Sequence, residues 1–297
     1  IVSAYNTNPT LQECTNQSIL SAALLGESLQ LSPSPQLGHY YMVPFNNTKT
    51  GVKEAQFQMG YKGYIQLAIR SGQYKRLNVV AIKEGELEYF DPLNEDIKVN
   101  LMVDDWDKRE EAETIGYYAM FELVNGFRKT MYWSKAQMLA HADKYSQAFY
   151  KDAGKVKTKY GEKQRVSFAD YEAGNYDPRD SWMYSSFWYK NFDGMAYKTM
   201  LRQLISKWGV MSIELQKAFE GDMATLDAEG RPTYVENDND EYVEATATEV
   251  NKPENAQPEP QDAQNTQNSV QNPQPTPAEN PQPEMNAAEA ALFGSFK

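Results

Sequence analysis

The chain has 297 residues, with 41 acidic and 29 basic side chains and a formal net charge of −12. Taken over the whole chain, this negative charge argues against a nucleic-acid-binding protein. One cysteine and two histidines exclude a disulfide framework and a Cys/His zinc site, because each needs several such residues. No apolar run approaches the roughly 18 residues of a membrane span, so we expect a soluble, intracellular protein. The chain starts with Ile1 instead of Met, and we expect upstream residues to be missing.

The negative charge is concentrated at the C-terminal end. Residues 222–297 hold 15 acidic and three basic residues, so residues 1–221 are neutral overall. The same segment has nine of the 15 prolines, many Gln and Asn residues, and none of the five tryptophans. Such a composition buries too little apolar surface to offset chain entropy, which predicts a folded domain over 1–221 and a disordered acidic tail over 222–297. The last residues, AAEAALFGSFK, are predicted to form a short docking helix that exposes Leu292, Phe293 and Phe296.

The first predicted element is a helix. It begins near Thr10, where Thr10-x-x-Glu13 has the form of a capping box, or near Thr15, and it ends near Leu31 ahead of two prolines.

A β-hairpin follows, with strands at about 39–45 and 54–59 around a polar turn. Its second strand alternates apolar and polar side chains, which predicts one packed face and one polar face. These side chains are Phe57 and Met59 on one face and Gln56 and Gln58 on the other.

The next helix is predicted from Tyr61 to Ser71, and Gly72 ends it. Its apolar stripe includes Tyr61 and Tyr64, which we assign to packing because tyrosines at helical spacing are usually buried. A second row, four residues apart, is basic and polar, and we assign it to phosphate binding. This row consists of Lys62, Gln66 and Arg70.

Further strands are predicted at about 74–83, 114–124 and 127–133, the last two joined by Asn125-Gly126, a type I′ turn signal. Ser134-x-x-Gln137 predicts the capped start of a helix that runs to about Phe149.

Residues 150–189 mix glycine, proline and aspartate with aromatics, and we interpret them as a long loop or insertion. Two helices then follow, at about 190–208 and 212–220. The first has an apolar stripe and a separate basic row, with one further lysine near the boundary of the stripe. The row is Lys198, Arg202 and Ser206, and the boundary lysine is Lys207.

Charge inside the folded part is uneven. Residues 49–83 carry +6, residues 84–113 carry −9 and residues 128–165 carry +7, which predicts opposed surface faces. The acidic block contains Asp96-x-Lys98, a weak nuclease-like pattern, and we favour a solvated, DNA-repelling edge over a Mg²⁺ site. No phosphate-binding G-x-x-x-x-G-K-[ST] loop is present, so a motor ATPase is not expected.

Basic and aromatic residues interleave around the first hairpin, as expected where single-stranded nucleic acid binds along its phosphates and stacks its bases. The residues are Lys62, Arg70, Lys75 and Arg76 with Tyr61, Tyr64 and Tyr74.

Two long blocks resemble a known family. The run from Gln36 to Glu86, QLGHYYMVPF…AQFQMGYKGYIQLAIRSGQYKRLNVVAIKEGE, and the later block NFDGMAYKTMLRQLISKWGVMSIELQKA resemble the RecT family of phage single-strand annealing proteins, related to Redβ. With the strands between them, the resemblance covers nearly all of residues 9–220.

The resemblance implies an α+β fold, with a small antiparallel sheet, a helix packed across it and flanking helices. It also implies ATP-independent annealing by a homo-oligomer, a ring or filament that coats single-stranded DNA and pairs it with a complementary strand. A phage exonuclease and a host single-strand binding protein are further expected partners, the expected location is the cytoplasm of a bacterial host cell, and no cofactor is expected. The DNA contacts expected from the resemblance and from the basic rows are Gln58, Lys62, Gln66, Arg70, Lys75, Arg76, Lys198, Arg202 and Lys207.

Two other functions stay open at this point. A Mg²⁺-dependent nuclease would use the acidic block, and a scaffolding oligomer would have no role on DNA.

Overall fold

The structure is a computed structural model that describes residues 2–47, 51–146, 148–158, 161–227 and 230–233. All of these belong to one compact unit of the chain, residues 1–250. The predicted disorder of the tail beyond residue 233 and its docking helix lie outside the described residues.

The N-terminal segment forms helix α1 (Val2–Thr7), a 3₁₀ turn (Pro9–Glu13) and helix α2 (Asn16–Ser28). The Thr15 hydroxyl accepts a hydrogen bond from the Ser18 N–H and caps α2, which confirms the later of the two predicted starts. A capping box at Thr10 is wrong, because that residue lies inside the 3₁₀ turn, which Asn8 caps. Cys14, just ahead of α2, is buried, and this burial raises the pKa of its thiol to about 11.

Strands β1 (Tyr40–Asn47) and β2 (Val52–Met59) form the predicted hairpin, with Tyr40 opposite Met59. Phe57 and Met59 are buried against α2, as predicted. The opposite face of β2 is not open to solvent. There the Gln56 amide donates a hydrogen bond of 2.6 Å to the Met223 carbonyl, because the chain after the last helix lies across this face.

Helix α3 (Tyr61–Arg70) follows at once, and Gly72 ends it with φ of +67°, as predicted. Strand β3 (Tyr74–Lys83) pairs with β6 (Thr114–Leu123), which pairs with β7 (Arg128–Ser134), giving an antiparallel sheet in the order β3-β6-β7. The type I′ turn is wrong, because only Gly126 has positive φ there and its N–H bonds to the Leu123 carbonyl at 3.0 Å. This geometry is a type I turn followed by a left-handed glycine.

The acidic block leaves the sheet between β3 and β6 and folds into a separate projection. It contains the hairpin of β4 (Leu87–Asp91) and β5 (Asp96–Val99) and the short helix α4 (Trp106–Glu111). We call residues 84–113 the acidic arm.

Helix α5 (Lys135–Tyr145) starts with the predicted capping box between Ser134 and Gln137 but ends four residues before Phe149. The prediction of an irregular 150–189 segment is wrong. Phe168, Tyr184, Trp188 and Tyr189 of this segment are buried in a common cluster with Phe149, and their burial holds the segment in a defined fold. It forms β8 (Gly154–Thr158), β9 (Gly161–Arg165), α6 (Phe168–Glu172), a 3₁₀ segment (Pro178–Tyr184) and α7 (Phe187–Lys190).

Helices α8 (Phe192–Trp208) and α9 (Ile213–Gly221) lie close to the predicted bounds. The short strands β10 (Thr225–Leu226) and β11 (Pro232–Thr233) follow them. Asp222, Ala224 and Leu226 are buried, and Ala224 bridges to Phe57 of β2. The domain boundary predicted after residue 221 is therefore too early.

Helix α8 lies between two hydrophobic cores. Leu201 and Ile205 face the core formed by α2, the β1–β2 hairpin, α3 and α9, whereas Met200 and Leu204 face the core of the three-stranded sheet, α5 and the 149–192 aromatics. The α+β class with small antiparallel sheets is as predicted. In the part of the chain that the structure describes, no helix has both the length and the apolar content needed to cross a bilayer.

Candidate nucleic-acid interface

The outer side of α3 carries the predicted basic row. Lys62, Gln66 and Arg70 are all exposed, whereas Tyr64, Leu67 and Ala68 on the opposite side are buried. Four-residue spacing in a helix of 3.6 residues per turn keeps the three polar side chains on one stripe.

Two glycines bring the segment before β1 directly against α3. A Cβ atom on Gly60 would lie 2.1 Å from the Gly38 carbonyl oxygen, and one on Gly63 would lie 2.2 Å from the His39 carbonyl oxygen. Both distances are impossible for a real side chain, so the backbone contact requires glycine at both positions. The paired motifs LGHY and MGYKG therefore form a single close-packed joint.

The joint places His39 and the end of α2 beside the basic row. The Arg70 guanidinium donates to the Leu29 carbonyl at 2.6 Å and to the Gln30 side chain at 3.2 Å. Burial lowers the pKa of His39, and the nearby charges of Arg70 and Lys62 lower it further. We call Lys62, Gln66, Arg70 and His39 the α3 face.

Aromatic side chains border the N-terminal end of the α3 face. The Lys62 ammonium lies 6.0 Å from the centre of the Tyr61 ring, and Tyr61 packs edge-on against Tyr197 of α8 at 5.5 Å. Tyr41 of β1 contacts Phe187 at 5.4 Å. Tyr61 and Tyr41 are only half-buried, so part of each ring is accessible near Lys62.

Gln58 lies on the hairpin face that the chain after α9 crosses. It is half-buried, and its amide donates to the Gln56 side-chain oxygen at 2.8 Å. Gln56 in turn bonds to the Met223 carbonyl, so Gln58 is held at the junction of β2 and the end of the domain.

Asp222 joins the two sequence blocks at their centre. Its Oδ1 accepts from the Met59 N–H and from the Lys198 ammonium, both at 2.9 Å. Its Oδ2 accepts from the Tyr64 hydroxyl at 2.9 Å and from the Arg202 guanidinium at 2.7 Å. Asp222 is 1 % exposed, so a single buried carboxylate ties β2, α3 and α8 together.

This arrangement changes the interpretation of the α8 row. The prediction of an exposed row is wrong at Lys198, which is 7 % exposed because its ammonium is turned inward to Asp222. Arg202 keeps 37 % of its side chain exposed. DNA contact by either residue stays a prediction, and at Lys198 it would require Asp222 to give way.

Comparisons with known proteins cover both sequence blocks in one match. The RecT family model matches residues 1–241, which include Asp222. The chain belongs to the RecT family. It is 39% identical over 218 residues to the uncharacterized protein YqaK of Bacillus subtilis (strain 168), which is 73% of this chain and 60% of that protein. It is 29% identical over 216 residues to protein RecT of Escherichia coli (strain K12), which is 72% of this chain and 65% of that protein. The chain thus spans less than two thirds of the length of either relative.

The remaining basic residues predicted for this RecT-family chain lie outside the α3 face. Lys75 and Arg76 are exposed on β3, where the Glu122 carboxylate lies 2.5 Å from Lys75 and 3.7 Å from Arg76. Lys207 is exposed near the end of α8, where its charge, after burial, lowers the pKa of His141. Their DNA contacts stay predictions.

The nuclease-like pattern does not converge on a site. Asp96 accepts a hydrogen bond from the Tyr89 hydroxyl, and Lys98 pairs with Glu88 at 2.5 Å. Asp91 bonds to the backbone of its own turn at Leu93. Among the described residues, no three His, Cys, Asp or Glu side chains are placed to hold a metal ion.

Two members of this region were not predicted from the sequence. His39 is the first residue of the strand predicted at 39–45, and the glycines on both sides of the joint were the signal for close backbone contact there. Asp222 carries no local signal, because one aspartate after a short helix resembles any solvated residue.

Proposed function

We propose that this chain anneals complementary single strands of DNA, with the α3 face as the surface that holds the phosphates. The observation that carries the proposal is the α3 face itself, where two permanent cations and a glutamine form an exposed stripe beside His39. All four residues lie in the first of the two sequence blocks on which the RecT resemblance rests, and the RecT family model covers that block. The name of the E. coli relative, RecT, agrees with a role in recombination.

The chemistry of the α3 face suits a sequence-independent binder. Lys62 and Arg70 offer charge and Gln66 offers an amide, and such groups bind phosphate without reading bases. A single strand held by its phosphates keeps its base edges free for a partner strand. Bases stack on the faces of aromatic rings, and we propose that the half-buried rings of Tyr61 and Tyr41 stack bases at one end of the stripe, at roughly 1–3 kcal/mol per stacked base.

Pairing needs no external energy on this account. Duplex stacking contributes about 1.4 kcal/mol per step, so about ten aligned bases supply on the order of 14 kcal/mol. The protein lowers the electrostatic barrier between strands and neither breaks nor forms a covalent bond. We therefore propose a non-enzymatic, ATP-independent protein without a cofactor. We further propose homo-oligomers on DNA, and cooperation with an exonuclease and a single-strand binding protein.

A strand-pairing assay tests the proposal. Two complementary oligonucleotides, one carrying a fluorophore and the other a quencher, are mixed with the full chain in EDTA and without nucleotide. We expect quenching to be faster than for the free strands and to be absent with a non-complementary partner. No acceleration would refute annealing.

The two alternatives predict different results in the same tubes. A Mg²⁺-dependent nuclease would shorten a labelled strand when Mg²⁺ replaces EDTA, and Asp96→Ala would abolish the cleavage. A scaffold without a DNA role would show no change in light scattering when either strand is added.

A further inference from the structure

The acidic arm is held in a fixed shape by a buried ion pair. Glu86 is fully buried and accepts from the Arg109 guanidinium at 2.6 and 3.2 Å. The same carboxylate accepts from the Lys83 N–H at 2.8 Å and the Met102 N–H at 3.0 Å. Glu86 thus fixes the start of the arm, the exit of β5 and α4 to one another. Burial of such an ion pair costs desolvation free energy. The pair is stable because both oxygens of the Glu86 carboxylate accept hydrogen bonds from nearby donors.

The fixed shape leaves the outer side of α4 exposed, with the Arg109 guanidinium 5.7 Å from the centre of the Trp106 ring. None of the residues of α4 is buried, and Trp106 at its start is 59 % exposed. Val103 just before it is 54 % exposed. A tryptophan with neighbouring apolar side chains inside a charged frame is typical of a binding surface, since Trp is enriched where proteins meet. The frame is acidic and consists of Asp104, Asp105, Asp107, Glu110 and Glu111, all exposed.

A surface of opposite charge lies elsewhere on the same chain. Residues 144–165, which run from the end of α5 through the β8–β9 hairpin, hold seven basic and two acidic residues. Tyr145 is 65 % exposed among these cations, and the Lys144 ammonium lies 5.2 Å from its ring. We call the exposed lysines the basic edge, and they are Lys144, Lys151, Lys155, Lys157 and Lys163.

In the part of the chain that the structure describes, the acidic frame and the basic edge form no ion pair with each other. Among the described residues, the ion pairs of the arm involve Lys98, Arg109, Lys129 and Lys135, and none involves residues 144–165. In the same part of the chain, Lys144, Lys151 and Lys157 make no ion pair. Each surface is therefore available to a second molecule.

We propose that α4 and the acidic frame of one copy dock on the basic edge of the next copy of this chain. The exposed Trp106 would meet Tyr145 and lysine side chains, a combination that favours aromatic and cation–π contact. The contact joins unlike surfaces head to tail, so every copy has a free acidic frame and a free basic edge until a ring closes or a filament extends. The inference rests on the homo-oligomer of the proposed function and names its contact surface. The contact itself involves no DNA, so its test is separate from the annealing assay.

Two charge-reversed variants of the full chain test the contact. The first carries Asp104→Lys, Glu110→Lys and Glu111→Lys, and the second carries Lys144→Glu, Lys151→Glu and Lys157→Glu. Asp105 is left intact because its side chain caps α4. A control carries Glu27→Lys and Glu214→Lys, exposed residues on α2 and α9. Sedimentation velocity at low salt, without DNA, gives the size of the wild type, of each variant alone and of an equimolar mixture.

We expect the wild type and the control to self-associate and each reversed variant to sediment as a monomer. Like charges face each other in the reversed variants, which should weaken association by on the order of a hundredfold. The mixture should assemble again, because alternating copies restore opposite charges at every contact. A monomeric wild type, assembly of either variant alone, or a mixture that stays monomeric would overturn the proposal. Trp106→Ala should weaken assembly without changing its salt dependence, and an unchanged assembly would remove α4 from the interface.

Discussion

The Lys198 ammonium lies 2.9 Å from the Oδ1 atom of Asp222, and both side chains are buried. The pair connects the middle of α8 to the first residue after α9. Arg202 and Tyr64 bind the other carboxylate oxygen, so Asp222 satisfies two cations, a phenol and a backbone N–H together. The basic row of α8 therefore organises the interior of the domain, and its partner came from the segment that composition had assigned to the tail.

Removing the Asp222 charge should strongly destabilise the fold. Asp222→Asn leaves Lys198 buried without an anion, and breaking a buried pair in this way costs about 3–5 kcal/mol. Urea denaturation followed by circular dichroism measures the loss. As the matched control, Glu162→Gln removes the carboxylate of the exposed Lys155–Glu162 pair and should cost less than about 1 kcal/mol. Equal losses in the two variants would contradict the structural role of Asp222.

The α3 face should determine the salt dependence of DNA binding. Lys62→Ala with Arg70→Ala removes two phosphate contacts, and each contact on a single strand adds about 0.7 to the salt slope. We expect weaker binding and a slope lower by about 1.4, measured by fluorescence anisotropy with an oligonucleotide over a salt series. The double variant Lys75→Ala with Arg76→Ala is the comparison. Glu122 already offsets these charges, so their loss should change the slope less. A folded α3 double variant with wild-type slope would move the DNA site elsewhere.

The predictable parts of the fold were those with local signals. The alternation in 54–59 and the two faces of 61–71 identified β2 and α3 because burial follows the period of the element. The folded structure of the 150–189 segment could not be predicted, because Phe168, Tyr184 and Trp188 are far apart in the sequence. They form a core only through their contacts with Phe149 in the folded chain. The burial of Lys198 could not be predicted for the same reason. Helical spacing shows which residues share a face of the helix, but it does not show which part of the chain covers that face.

When DNA binds beside His39, the imidazole of His39 should take up a proton. Burial and then Arg70 and Lys62 hold the pKa of His39 below its ordinary 6.5, so the imidazole is neutral near pH 7. A bound phosphate favours the imidazolium and raises this pKa, so affinity should increase as the pH falls from about 7 to about 5. The free protein behaves in the opposite way, because its unfolded state binds that proton more readily and stability falls below 6.5. Anisotropy titrations of the wild type and His39→Gln check this, and an equal pH trend in both would exclude His39.

The acidic tail should compete with DNA for the α3 face. Truncation after residue 241 keeps the family match and Asp222 while removing much of the acidic segment. We expect this variant to bind an oligonucleotide more tightly at low salt and equally at high salt, because the competition is electrostatic. Truncation after residue 221 should instead unfold the domain, since it removes Asp222 and Ala224. Equal or weaker low-salt binding by the longer variant would reject competition.

The joint between Gly63 and His39 should tolerate no side chain. Alanine normally stabilises a helix interior relative to glycine by roughly 0.5–1 kcal/mol. At Gly63, however, the new Cβ would lie 2.2 Å from the His39 carbonyl oxygen and 2.8 Å from the Met59 methyl carbon. Because the first contact is with backbone, the strands must shift, and we expect Gly63→Ala to destabilise the domain by about 1–3 kcal/mol. It should also weaken DNA binding by moving His39 away from the other members of the α3 face. Gly72→Asn is the control, since that position is open, has a left-handed φ of +67° and accepts asparagine. Thermal unfolding of both variants shows whether Gly63→Ala lowers or raises the stability of the domain. A stabilised Gly63→Ala protein would show that the backbone contact at the joint has room for a side chain.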